Sequence, residues 1–261
     1  NWSDRLIGIK GTRGVGKTTF LLQYAKEKFG TDRSCLFINM NNFYFSGHSI
    51  VDFANEFQKR GGKVLLIDQV FKHPDWSREL RMCYDRFPNL KIVFTGSSVM
   101  RLKEENLELR DIVKSYNLRG FSFREFLNLQ TGMKFRHYTL EEILSSHEQI
   151  AKGVLSKVRP LDYFQDYLHH GFYPFFLEKR NFSENLLKTM NMMVEVDILL
   201  IKQIELKYLS KIKKLLYLLA VDGPKAPNVS QLASDIQTSR ATVMNYIKYL
   251  ADARLINLVL S

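Results

Sequence analysis

The sequence predicts an α/β fold: a five-stranded parallel sheet within residues 1–122, a helical zone over 123–205, and a small helical domain over 206–261. Three observations lead there. Strand and helix patterns alternate through the first part, the signature of a parallel sheet covered on both faces. A glycine-rich octet, Gly11 to Thr18, follows the first strand and opens the first helix. After Phe121 the strand signals vanish, and Phe, Tyr, Met and Leu recur at helical spacing instead.

The elements follow in order. Leu6 to Lys10 is a short buried strand. Lys17 to Phe29 is a helix with Phe20, Leu21, Tyr24 and Phe29 near helical spacing, stopped by Gly30. Cys35 to Asn39 is the second strand. Ile50 to Arg60 is a helix broken by Gly61-Gly62. Val64 to Ile67 is wholly apolar, as a strand buried on both faces should be. Pro74-Asp75 opens a helix with Trp76, Leu80, Tyr84 and Phe87 on one face. Ile92 to Thr95 and Ile112 to Leu118 complete the sheet. Leu140 to Ala151, Leu161 to Leu168 and Ser183 to Ile201 are the helices of the middle zone. A lysine-rich helix, a Gly-Pro-Lys-Ala-Pro loop at Gly223 to Pro227 and two short helices follow.

Composition narrows the functional classes. A 45% hydrophobic content is ordinary for a globular chain, and no run reaches the ~18 apolar residues of a membrane span. No secretory signal is visible, and Cys35 and Cys83 sit in apolar patterns without metal-ligand spacing. Free thiols in a reducing, cytoplasmic compartment are expected, with no membrane partner. The chain opens on Asn1, so a piece of a longer protein is expected. The net charge of +11 exceeds what solubility requires and points to an acidic partner.

Gly11-Thr12-Arg13-Gly14-Val15-Gly16-Lys17-Thr18 matches G-x-x-x-x-G-K-[ST] in full and in the required strand–loop–helix context. Glycines let the backbone curl so that its N–H groups point at phosphates, and the helix N-terminus adds a favourable dipole. Lys17 is expected to reach the β- and γ-phosphates and the Thr18 hydroxyl to ligate Mg²⁺. The motif therefore implies ATP with Mg²⁺. Val64 to Asp68 has the form of an apolar strand ending in a metal-holding carboxylate, which assigns Asp68 to Mg²⁺. The next residue is Gln69, and an amide is a poor general base, although it can orient water. Either turnover is naturally slow or the glutamine replaces a glutamate; the intact remainder of the motif favours replacement. Thr95 ends the fourth strand and can reach the γ-phosphate or the attacking water.

Gly11–Thr19, Leu66-Ile67-Asp68, Trp76-Ser77-Arg78-Glu79-Leu80, Phe94-Thr95-Gly96-Ser97-Ser98 and Gly120-Phe121-Ser122-Phe123-Arg124-Glu125-Phe126 occur in that order. The series resembles the prokaryotic AAA+-superfamily ATPases of the signal-transducing (STAND-like) and archaeal-type branch. The resemblance implies a five-stranded core, a helical lid and a C-terminal winged helix, with a further domain beyond residue 261. It extends the phosphate-binding set to Thr19 and places a glutamate where Gln69 stands, so impaired hydrolysis is expected. It also suggests Arg110 as an arginine finger or γ-phosphate sensor, and Gly171-Phe172-Tyr173-Pro174 as a lid element touching nucleotide through Pro174. His169 and His170 are expected on the lid surface.

The C-terminal helices have a helix-turn-helix pattern. Leu232, Ala233 and Ile236 face inward, Gln237-Thr238 turns, Ser239 caps, and Val243, Ile247 and Leu250 form the core stripe. Arg240, Ala241, Thr242, Asn245, Lys248 and Tyr249 would then face outward, a set suited to a major groove, with Lys207, Lys211, Lys213 and Lys214 available for phosphates. Ile256 to Leu260 would begin a wing. Two functions compete: an ATP-driven conformational switch acting on a protein effector or on itself, and a duplex-DNA-binding regulator or initiator using ATP as a structural ligand.

Overall fold

The computed structural model describes residues 2–100, 102, 106–223 and 225–259. Five parallel strands, β1 (Leu6–Gly11), β2 (Cys35–Asn39), β3 (Val64–Asp68), β4 (Lys91–Ser97) and β5 (Lys114–Asn117), lie in the order β2-β3-β4-β1-β5. Helices α1 (Lys17–Lys28), α2 (Ile50–Lys59) and α3 (Trp76–Arg86) connect them. The apolar run of β3 divides between two cores. Leu65 and Ile67 pack with Ile50, Ala54, Leu80 and Phe94, while Val64 and Leu66 pack with Leu21, Ile7, Ile9 and Val93. That two-sided burial is why β3 lacks polar–apolar alternation. Of the residues at helical spacing in α1, Phe20 is exposed and Leu21 is the buried member. β5 is shorter than the expected 112–118, because Ile112 and Val113 turn inward into the α3-side core.

The chain divides into two compact units. One comprises residues 1–118 with 186–261, the other 119–185. In the second unit, α4 (Phe123–Thr131) starts at a full capping box between Ser122 and Glu125. Helices α5 (Leu140–Leu155) and α6 (Leu161–Asp166) follow, and the unit ends within α7 (Phe182–Met192). Its centre is aromatic: Phe126 lies against Tyr167, His170 and Phe176. Gly171 is buried there because any β-carbon would collide with the Tyr167 and Phe126 rings. His169 is exposed, whereas His170 is half-buried among these rings.

The unit boundary departs from the anticipated division at 122 and 205. Residues 193–199, expected in the lid, bury Met193, Val194, Ile198 and Leu199 against the C-terminal helices. Those helices are α9 (Leu209–Asp222), α10 (Val229–Asp235) and α11 (Arg240–Asp252), with the short α8 (Leu199–Lys202) ahead of them. The turn after α10 uses Gln237 at φ 52°, and Ser239 accepts from the Thr242 amide at 3.1 Å, as the pattern predicts. Leu232, Ala233, Ile236, Val243, Ile247 and Leu250 are all buried. The anticipated wing strand does not form over 256–259; Leu260 lies outside the described residues.

Candidate functional site

The parallel sheet places the chemistry at the carboxyl ends of β1, β3 and β4, where α/β proteins hold ligands. The loop from Gly11 to Gly16 leaves β1 and enters α1. Gly14 and Gly16 take φ of 82° and 89°, a left-handed conformation that favours glycine, so the pattern's glycine spacing is structurally required there. No side chain caps the start of α1 and no acidic residue stands in its first turn, so its amides and dipole face an anion unopposed. Lys17 Nζ donates to the carbonyls of Gly11 and Thr12, both at 2.8 Å. Burial pulls its ammonium down to about 8, while Asp197 opposes that fall, Arg13 adds to it and Asp68 opposes it. Thr18 and Thr19 lie exposed beyond it.

Asp68 is the hub. It is 1% exposed, and its carboxylate accepts from Thr18 Oγ1 at 2.8 Å and Asn39 Nδ2 at 3.0 Å through Oδ2, and from Thr95 Oγ1 at 2.5 Å through Oδ1. Pairing of β2 with β3 sets Asn39 directly opposite Asp68. Asn39 is thus a site residue the sequence reading missed; its only signal was its position at the end of the strand before β3. Gln69 sits at φ 56°, and its amide donates to Thr95 Oγ1 at 2.9 Å. A non-glycine residue held left-handed beside a buried carboxylate is a local cost that a functional site can sustain.

Hydroxyl, carboxylate and amide oxygens are the hard donors that Mg²⁺ prefers, and among the described residues no cluster of three or more His, Cys, Asp or Glu competes for it. The set is too small to cage the ion alone, which suits a metal that takes its remaining ligands from phosphate and water. The residues present fit Mg²⁺ with a nucleotide.

Other expected residues fall differently. Arg110 is exposed on the turn before β5, beside a segment tied to α3 through Arg81, and is not among the described residues that bond the Asp68 cluster. The intervening turn buries Leu109 instead, which directs the arginine to solvent. Pro174 starts a 3-10 turn within the unit spanning 119–185. Cys83 is buried and Cys35 half-buried; burial raises their thiols to about 12 and about 11, which makes both poor nucleophiles.

The C-terminal face is mixed. Arg240, Asn245 and Lys248 are exposed. Thr242 is half-buried with its hydroxyl 2.9 Å from the Ser239 cap, and Tyr249 packs on the helical core. The lysine run is largely occupied. Lys211 and Lys214 donate to the Gln237 and Asp235 carbonyls at 2.5 and 2.6 Å, and Lys213 and Lys207 pair with Glu195 and Glu205. Lys211 and Lys214 thereby close the exposed end of α10, and Lys207 and Lys213 are held in exposed ion pairs.

With this geometry in place, the chain can be set beside known proteins. Residues 3–127 match the AAA domain family. Residues 161–261 match a second family, described as a domain of unknown function. Two uncharacterised proteins of Methanocaldococcus jannaschii, MJ1637 and MJ1544, are 29% and 26% identical over 272 residues. Each alignment covers 98% of this chain, which spans 57% and 56% of those relatives' length. Among solved structures, AMPPCP-bound DnaA from Aquifex aeolicus is 12% identical with a TM-score of 0.36, covering 97% of this chain and 83% of that one. The Aeropyrum pernix ORC1 protein in complex with DNA is 11% identical with a TM-score of 0.39, covering 99% and 80%. No described helix is long and apolar enough to cross a membrane.

Proposed function

We propose that this AAA+ domain binds Mg²⁺·ATP at Gly11–Thr19 and Asp68 and works as a nucleotide-driven conformational switch with impaired hydrolysis. The observation that carries this reading is the Asp68 cluster. A carboxylate 1% exposed is retained beside a complete phosphate loop, held by Thr18, Asn39 and Thr95. Burying a charge this way is costly unless it is paired, and these partners orient it towards the loop. When bound, Mg²⁺ would neutralise phosphate charge from Thr18 and Asp68. Lys17 would hold the terminal phosphates, Thr95 would keep Asp68 and Gln69 in place, and Gln69 would orient water without removing its proton efficiently. Arg110 and Pro174 keep their suggested roles only as contributions made in the assembled, nucleotide-bound protein. The test is an ATP titration of wild type and Asp68→Asn with and without Mg²⁺. Wild type should bind more tightly with the metal and the variant should lose that gain; an identical metal response in both would refute the assignment.

A second reading is supported by the exposure of Arg240, Asn245 and Lys248 on one helix above a buried stripe: the helix-turn-helix meets duplex DNA. Salt-sensitive duplex binding unaffected by nucleotide would favour it over the switch.

A further inference from the structure

Asp197 is a buried carboxylate that the reading above does not use. It is 3% exposed, in the π-helical turn Met193–Ile198, far from the phosphate loop in sequence. Both its oxygens reach the site. Oδ1 pairs with Arg13 Nη2 at 2.7 Å, and Oδ2 accepts from Ser97 Oγ at 3.1 Å. Ser97 is set beside Gly11 by the register of β1 with β4. The contact is reinforced at the preceding loop residue: buried Thr12 donates to the Ala253 carbonyl at 3.2 Å and approaches Met193 Sδ at 3.5 Å. The C-terminal helical part therefore grips two consecutive residues of the phosphate loop.

The charge balance there is uneven. Asp197 faces Arg13 and is close enough to Lys17 and Lys72 to influence both ammonium groups. The Arg13 guanidinium is incompletely satisfied, its Nε buried without a hydrogen-bond partner among the described residues. In a P-loop site the lysine reaches the β- and γ-phosphates, so the Lys17 neighbourhood is where a triphosphate carries negative charge that a diphosphate lacks. A γ-phosphate beside Asp197 sets anion against anion, and Arg13 is the donor both would claim.

We propose that Asp197 discriminates between nucleotide states: the γ-phosphate competes with it for Arg13, so the triphosphate releases residues 193–202 from the phosphate loop while the diphosphate leaves them attached. This rests on the ATP reading and deepens it by naming the residues through which the terminal phosphate reaches the helical part. Ligand discrimination of this kind operates by differential affinity for two states.

The experiment measures MgATPγS and MgADP affinities for the full chain as wild type, Asp197→Asn and Arg13→Gln, with hydrogen exchange followed over residues 193–202. Asp197→Asn should raise the preference for ATPγS over ADP by about 5-fold or more, the usual scale of coupling between sites. Arg13→Gln should lower that preference while ADP still binds, and it carries the test alone if Asp197→Asn does not fold. In wild type, the 193–202 amides should exchange faster with ATPγS than with ADP, and Asp197→Asn should remove the difference. Both nucleotides binding with an unchanged preference in the variants would overturn the proposal and leave the ATP reading standing. Wild type binding neither nucleotide would overturn both.

Discussion

The carboxyl ends of β1, β3 and β4 and the outward face of α11 are both rich in polar residues, but they hold them differently. At the sheet, Asp68 and Thr95 are 1% and 0% exposed and bonded to each other, with Thr18 and Asn39 completing the cluster. On α11, Arg240, Asn245 and Lys248 lie in solvent above a well-buried stripe. Burying polar groups is expensive, so a folded chain keeps such a cluster where its chemistry is used. Exposed polar side chains cost little and fit a solvated helix as readily as a DNA groove. The first region is therefore strong evidence about function; the second only permits one.

That contrast can be tested from the larger effects down. At the sheet, Gln69→Glu should raise steady-state ATP hydrolysis by ~10²-fold or more, the usual scale of a general base. Equal rates would mean that position 69 does not limit turnover. Within the C-terminal helices, Leu250→Ala should cost ~2–5 kcal/mol, seen as a lower Tm, because a fully buried side chain leaves a cavity. By contrast, Asn245→Ala and Lys248→Ala should leave Tm unchanged. If the face meets DNA, Lys248→Ala should also shrink the slope of log affinity against log salt by about 1. Salt titrations that superimpose for wild type and both variants would make α11 a protein-contact helix.

A smaller, graded effect comes from Lys17. Its charged form holds phosphate, so ATP affinity should fall as pH rises through about 8. Stability responds with the opposite sign. The folded-state value lies below the ordinary 10.5, so between about 8 and 10.5 the unfolded chain binds more protons, and Lys17's contribution to stability rises with pH. A flat affinity profile from pH 7 to 9 would contradict the buried setting of Lys17.

How much of this was legible beforehand depended on whether the determining contacts are local. The phosphate loop, β3 with Asp68, the Ser239 cap and the buried stripe of α11 each rest on spacing within a few residues, and each appears as read. Asn39 and Asp197 were not legible. Asn39 reaches Asp68 through strand pairing, and Asp197 reaches Arg13 across 184 residues of sequence. The direction of Arg110 was not legible either: burial of Leu109 turns it to solvent, and motif order alone carries no information on side-chain direction. The contacts of the lysine run were hidden similarly, since the carbonyls at the end of α10 come within reach of Lys211 and Lys214 only after the three helices pack.

The central claim is that the cluster around Gly11–Thr19 and Asp68 is a Mg²⁺·ATP site. Calorimetric titration of Mg²⁺·ATP into wild type and Lys17→Ala tests it most directly. The account predicts saturable 1:1 binding by wild type and none measurable for the variant, because Lys17 is the loop cation that reaches the β- and γ-phosphates. Equal affinity in the two proteins would contradict it.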